Sequence, residues 1–558
     1  MTHPNQLLAD LLFPEIDKTP SYWLEKYPPR QLPEGAYVTR FAPSPTGFVH
    51  IGSIMASLVS RRIAHQTGGK FLLRIEDTDK KREQDGSIEA IVNNLNNFGL
   101  TPDEGFVQVN PEVERGDYAP YTQSDRAEIY ATFVKDLVAR GLAYPCFATE
   151  AELDENRKLQ EAQRIKPGYY GPFAKWRNAS LEKVQERLDV GDRPVIRLRA
   201  PYPIETRIQF QDAIRGEMDM PANDQDIVLL KSSNRLPTYH LAHLVDDILM
   251  RVNLVVRGEE WLPSAPIHVQ IHEYIQHPLP LYAHIAPIAK MDGGSKRKIS
   301  KRKDPEANVA YYYAQGYPVQ AVTEYLLNLT NSSFYEWRQA NPTAPHTDFV
   351  VRFDNMQVSS ALFDIIKLND TSKDVIASYT AEEIYAQALD WAKEYQPTLV
   401  ELLEADQAYT LKVFNVERAG PSPRKDIINW SDIERACGFF FDSYFEDAVN
   451  RLGYPFSEKL DQDTIRQLIE YASKFDPAQS KEDWLAGMRT FSAEIGFAPD
   501  NKSFKKNPEL FKGTFGDMMM VIRVALTGKT NTPDLYEMMQ TMGVDRVQSR
   551  FARASASL

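Results

Sequence analysis

The chain has 558 residues, 43% of them hydrophobic, and carries a net charge of −13. That length predicts several globular domains. With only Cys146 and Cys437, a disulfide framework and a cysteine-rich zinc knuckle are excluded, and no apolar run reaches spanning length, so a reducing, cytoplasmic setting away from membranes is expected.

Residues 1–35 read as an N-terminal extension: a short amphipathic segment (Leu7, Leu8, Leu11, Leu12, Phe13), then a proline-rich linker. Its acidic start, broken by Pro4 and Pro14, is unlike a secretion signal. Tyr37 to Ala42 is β-branched and aromatic and predicts a strand. Pro43 and Pro45 end any ladder and force an extended turn. Ile54, Met55, Leu58, Val59 and Ile63 recur at helical spacing between Ser53 and Gln66, and Gly68-Gly69 close that helix. Strand, tight loop and helix start in this order offer orphan N–H groups to phosphate oxygens. His50, just before the helix, is placed to donate to a phosphate whose charge grows in a transition state. Gly47 and Gly52 allow a flat ligand close to backbone.

Residues 36–115 thus predict the first half of a parallel nucleotide-binding sheet. An insertion follows over 116–221, with a helix from Tyr121 to Tyr144 and a strand at 194–198. The parallel half is expected to return at Ile227 to Leu230 and Val252 to Val256 and to run to 304. His268 and His272 stand four apart on a predicted helix, but Val269 occupies the place where a zinc-protease helix needs glutamate, so packing is expected there and no metal. Met291 to Ser295 reads as a turn into a basic run of Lys296, Arg297, Lys298, Lys301, Arg302 and Lys303, interrupted by Ser300. This suits a mobile loop folding over polyphosphate, with lysines as point charges. Arg61-Arg62, Lys80-Lys81-Arg82 and the 296–303 run supply local basic patches for nucleic acid despite the acidic total. Beyond 305, long helical patterns dominate, among them Val319 to Leu329, Ala381 to Tyr395 and Trp484 to Ile495.

His50-Ile51-Gly52-Ser53 and Lys298-Ile299-Ser300-Lys301-Arg302 together resemble the two signatures of class I aminoacyl-tRNA synthetases. Arg40 to Gly47, Leu72 to Asp79, Pro237 to Ala242, Val245-Asp246-Asp247 and Arg257 to Leu262 narrow the resemblance to bacterial-type glutamyl-tRNA synthetases, over about residues 36–330 and more weakly to the C-terminus. Ser53 departs from the usual histidine. The resemblance implies an α/β fold: a class I synthetase Rossmann-like parallel sheet (36–115 and 222–304), an inserted acceptor-binding domain (116–221), a stem-contact region (305–376) and an all-α anticodon-binding region (377–558). It implies glutamate–tRNA ligase activity with ATP and Mg2+, L-glutamate and tRNA(Glu), in a monomer without zinc. Two alternatives share the fold: a non-discriminating enzyme that also charges tRNA(Gln), and a glutaminyl-tRNA synthetase, against which Pro43-Ser44-Pro45-Thr46-Gly47 and the helical C-terminal region speak.

By the same resemblance, His50, Lys298 and Lys301 are catalytic. Gly52, Ser53, Glu260, Trp261, Leu262, Lys298, Ser300 and Lys301 bind ATP. Arg40, Ser44, Glu76, Tyr239, His243 and Arg257 bind glutamate, the arginines facing its carboxylates and Glu76 its ammonium. Competing readings are an exposed strand-end charge for Arg40, an ion pair with Glu259 or Glu260 for Arg257, and core packing for His243.

Overall fold

The expected proline-rich linker contains a helix. The extension folds as α1 (Pro4–Leu12) and α2 (Pro20–Lys26), the second started by Thr19, whose hydroxyl accepts from the Tyr22 amide. Trp23 and Tyr27 are buried. Arg30 holds Glu104 through two hydrogen bonds of 2.5 and 2.8 Å, and Arg251 donates to the carbonyls of Leu24 and Tyr27. The segment is stitched down along its length. The computed structural model describes residues 4–558 other than 202, 204, 301 and 421. Two compact units divide the chain: one runs to residue 311 and takes in 323–364, the other comprises 312–322 and 365–558.

The first unit follows the predicted strand–loop–helix order. β1 (Val38–Phe41), α3 (Ile51–Gln66), β2 (Lys70–Leu73), α4 (Ser87–Asn97) and β3 (Glu104–Val109) make a sheet in which β1, β2 and β3 are parallel, and β4 (Glu112–Arg115) adds an antiparallel edge. All five apolar positions predicted for α3 are buried. Each such side chain contributes about 1.5–3 kcal/mol on leaving water. The helix expected over 121–144 is shorter, α5 (Ala127–Ala139), because Gly141 takes a positive φ of 73° and the chain turns into β5 (Ala143–Cys146).

After α6 (Glu150–Ala162) and α7 (Leu181–Asp189) the strand order departs from expectation. β6 (Val195–Leu198) pairs antiparallel with β5 and with β9 (Val228–Leu230). Residues 227–230 therefore belong to the insertion's antiparallel sheet. Conversely, β7 (Arg207–Asp212), placed by the sequence inside the insertion, pairs with β8 (Gly216–Pro221) on one side and with the second parallel set on the other. A short apolar run reports burial but not which strand it pairs with.

α8 (Tyr239–Leu249), β10 (Leu254–Gly258), α9 (Ala265–Ile275) and β11 (Leu281–Ile285) complete that set, β10 and β11 running parallel in register from Leu254↔Leu281 to Gly258↔Ile285. β12 (Ile288–Asp292) then turns back through Gly293-Gly294 into β13 (Ser295–Lys298), and β14 (Ala361–Leu362) pairs with β12. The front of the basic run is thus a hairpin strand rather than a loop. Arg297 reaches Asp292 and Asp304, both at 2.6 Å, and the Ser300 amide donates to Asp304 at 2.8 Å.

The second unit is helical. Ala381–Tyr395 spans the predicted residues and is opened by a reciprocal Thr380–Glu383 cap. Ile365–Ser378 runs across the expected boundary at 376. Leu399, Leu403, Phe414, Phe440, Leu468, Ile522 and Phe551 are fully buried in its core. Among the described residues no helix is long and apolar enough to cross a membrane.

Candidate active site

The two parallel sets meet at β1 and β10. Asn253, just before β10, accepts from the Val38 amide through its side chain (2.7 Å) and returns its own amide to the Val38 carbonyl (3.2 Å). Past the C-terminal ends of these strands lies a cavity of about 610 Å³, where open parallel sheets bind ligands. Arg40, Ser44, His50, Gly52 and Ser53 line it from the β1–α3 side. Glu76, Tyr239, Arg257, Glu260, Trp261, Lys298 and Ser300 line the remainder. Leu262 and His243 are not on its wall, and Lys301 lies outside the described residues.

At one end His50 caps α3. Its Nδ1 accepts the Gly52 amide at 3.0 Å, so the neutral ring carries its hydrogen on Nε2, a donor. A Cβ at Gly52 would sit 3.1 Å from His50 Nδ1, so a larger residue would press on the cap. Helix N-terminus and imidazole donor together suit phosphate. Lys298, on the β13 strand, pairs with Glu260 at 2.8 Å, both half exposed.

At the other end sit buried charges. Arg40 is only 6% exposed, so it is no strand-end surface charge. Its Nε lies 3.3 Å from both oxygens of Asp247. Asp247 also accepts from Arg74 (2.7 Å), and Arg74 donates to Glu76 (3.0 Å). Arg126 joins through Asp246 at 2.7 Å. Burial alone would raise the Asp247 carboxyl, but the Arg40 and Arg74 charges outweigh it and hold it well below the usual carboxylate range. Glu76, 7% exposed, goes the other way: burial pushes it up to about 7, with Arg74 and Arg40 offsetting part of the effect.

Arg257 is 5% exposed and has no carboxylate partner among the described residues. The two glutamates expected as rivals are engaged elsewhere, Glu259 by Arg215 and Glu260 by Lys298. Arg257 instead donates to His284 and faces His268. A buried, unneutralised guanidinium on a cavity wall calls for an anion. His243 is buried behind Tyr239, stacked at 4.5 Å between ring centres, with Nδ1 2.9 Å from the Tyr239 carbonyl; Trp261 covers Tyr239 from another side at 4.4 Å. The histidine therefore supports the wall.

Sequence reading assigned no role to Asp247, Arg74, His284 or Asp212, and took His268 as a packing residue only. Asp247 stood in a motif already noticed. His284 is a polar residue in an otherwise apolar strand, the one local signal available for it.

The family described as tRNA synthetases class I (E and Q), catalytic domain, matches residues 36–370, and an anticodon binding domain matches 501–555. A glutamate–tRNA ligase of Clostridium perfringens is 48% identical across 98% of each chain, and one of Sorangium cellulosum is 42% identical across 96% of this chain and 98% of its own. Among solved structures, a glutamate tRNA ligase from Elizabethkingia meningosepticum, in complex with its amino acid, is 27% identical with a TM-score of 0.74, covering 93% of this chain and 99% of that one.

Proposed function

The chain belongs to the class I tRNA synthetases for glutamate and glutamine and is a glutamate–tRNA ligase, and from that premise we propose that its cavity holds L-glutamate and ATP end to end. The observation that carries this assignment is Arg257, buried, on the wall and with no carboxylate partner among the described residues. Its guanidinium takes the substrate's side-chain carboxylate. Arg40, whose Nε is committed to Asp247, offers its terminal nitrogens to the other carboxylate. Glu76 takes the ammonium, and Ser44 and Tyr239 donate hydrogen bonds. His243 acts through the Tyr239 ring it supports.

ATP enters as its magnesium complex, a substrate, with its phosphates toward the start of α3. The glutamate α-carboxylate attacks the α-phosphorus, forming the acyl-phosphate bond as the bond to pyrophosphate breaks. Negative charge grows on the phosphoryl oxygens, where the His50 Nε2 hydrogen and the helix N-terminus stabilise it. Lys301 shares the phosphoryl charge with His50, and Lys298 exchanges Glu260 for the leaving pyrophosphate. Glu260 and Trp261 flank the nucleoside, and Gly52 and Ser53 let it approach backbone. The terminal hydroxyl of tRNA then attacks the activated carbonyl and AMP leaves. Positioning and charge account for both steps without a side-chain base.

Arg257→Gln tests the assignment. It is expected to lower kcat/KM for glutamate by about 100-fold or more and to shrink the preference for glutamate over glutamine, because a neutral amide no longer leaves a charge unpaired. Unchanged discrimination would refute it.

A further inference from the structure

The buried arginines of the first unit differ in what holds them. Arg40, Arg74 and Arg126 each meet a carboxylate, Arg62 and Arg197 meet carbonyls and a ring, and Arg257, on the cavity wall, meets two imidazole nitrogens. Its Nε donates to His284 Nε2 at 2.9 Å, and both terminal nitrogens lie 3.3 Å from His268 Nδ1. A guanidinium has donors only, so both facing ring nitrogens must be acceptors. The hydrogen of His284 therefore sits on Nδ1, where Asp212 Oδ2 accepts it at 2.7 Å. That of His268 sits on Nε2, 3.2 Å from His240 Nδ1.

Asp212 is fixed in turn. It accepts the amides of Ile214 and Arg215 at 2.9 Å and that of His284 at 3.1 Å. Strand register builds the row: Arg257 and His284 are direct partners on β10 and β11, and Asp212 ends β7, the next strand over. Burial lowers the pKa of both imidazoles, which keeps them neutral. A carboxylate in either place would cancel the guanidinium charge. Two neutral acceptors fix its direction and leave the charge for a ligand, with the Asp212 charge kept one imidazole away.

Resting on the reading of Arg257 as the anchor for the side-chain carboxylate, we propose that Asp212 and His284, with His268 as second support, are positioning residues for substrate selection that aim Arg257 without neutralising it. Second partners of this kind commonly decide whether a first-contact group is presented in one orientation or several.

The test is a set of enzymes: wild type, His284→Leu, His284→Gln, Arg257→Gln, and the Leu and Gln changes at 284 and 257 combined. Steady-state aminoacylation gives KM for glutamate and for ATP in each. His284→Leu is expected to raise the glutamate KM about tenfold and leave the ATP KM unchanged. His284→Gln, whose side-chain oxygen can accept from Arg257, should return to within about threefold of wild type. On the Arg257→Gln background, His284→Leu should add nothing, since its effect passes through Arg257. Where the leucine variant does not fold, the isosteric Asp212→Asn is expected to give the same split. Parallel rises in both KM values, or an equal loss on both backgrounds, would overturn the proposal. An Arg257→Gln enzyme with unchanged glutamate KM would instead overturn the anchor reading beneath it.

Discussion

Lowering the pH from about 8 to about 6 is expected to cost this enzyme about tenfold in kcat/KM for glutamate, because Glu76 titrates across that interval. Burial moves its carboxyl from the ordinary 4.5 to about 7. With that midpoint roughly nine-tenths is ionised at about pH 8 and one-tenth at about pH 6. In the proposed role only the carboxylate attracts the substrate ammonium, so the competent form is present above about 7 and lost as pH falls through it. The measurement is initial aminoacylation rate at low glutamate with saturating tRNA and magnesium ATP. Glu76→Gln supplies the control: about 10- to 100-fold lower throughout, from loss of a charge-assisted hydrogen bond, and flat over the same range. A flat wild-type profile, or a glutamine variant keeping the wild-type slope, would refute the reasoning. The same displacement has a stability side. Between 4.5 and about 7 the folded state holds a proton that the unfolded chain has released. Stability at this position is therefore highest at acid pH and falls by about 3 kcal/mol as pH rises through the interval.

Two further substitutions separate architecture from chemistry. His50→Asn keeps an acceptor for the Gly52 amide, so α3 and the melting temperature should be retained, while loss of the Nε2 donor lowers kcat by about 100- to 1000-fold; near-wild-type turnover would remove His50 from the phosphoryl step. Asp247→Ala strands Arg40 and Arg74 and is expected to destabilise the first unit by about 3–5 kcal/mol, read by hydrogen exchange of β1 and β2. Unchanged protection there would mean that the lattice carries no such energy.

What the sequence made legible was local. The β1–α3 passage could be drawn because prolines, apolar spacing and closing glycines all act within about thirty residues. Ala381–Tyr395 was readable for the same reason, though its Thr380 cap came only with the structure. Pairing across distance was not readable. Strand 228–230 carries the same apolar signal whether it joins the parallel sheet or the insertion, and only register decides. Ser295–Lys298 reads as a charged loop until β12 is beside it. In the site, Arg40 and Arg257 were found through motif resemblance, but their supports lie elsewhere in the chain: Asp247 with Arg40, and Asp212 behind His284 with Arg257. A lone buried aspartate or histidine announces nothing until its partner is in place.

The lattice around α8 sets Arg40, Arg74 and Arg126 against Glu76, Asp246 and Asp247, with Arg40 and Glu76 at the cavity wall. Such an arrangement resists gradual retuning. A replacement that removes one of its charges strands the partner, so losing a charge there calls for a compensating change. On the reading proposed above, Arg257 stands outside that balance, because its counter-charge is the one the substrate brings. A change at Arg257 therefore leaves every charge of that lattice paired as before.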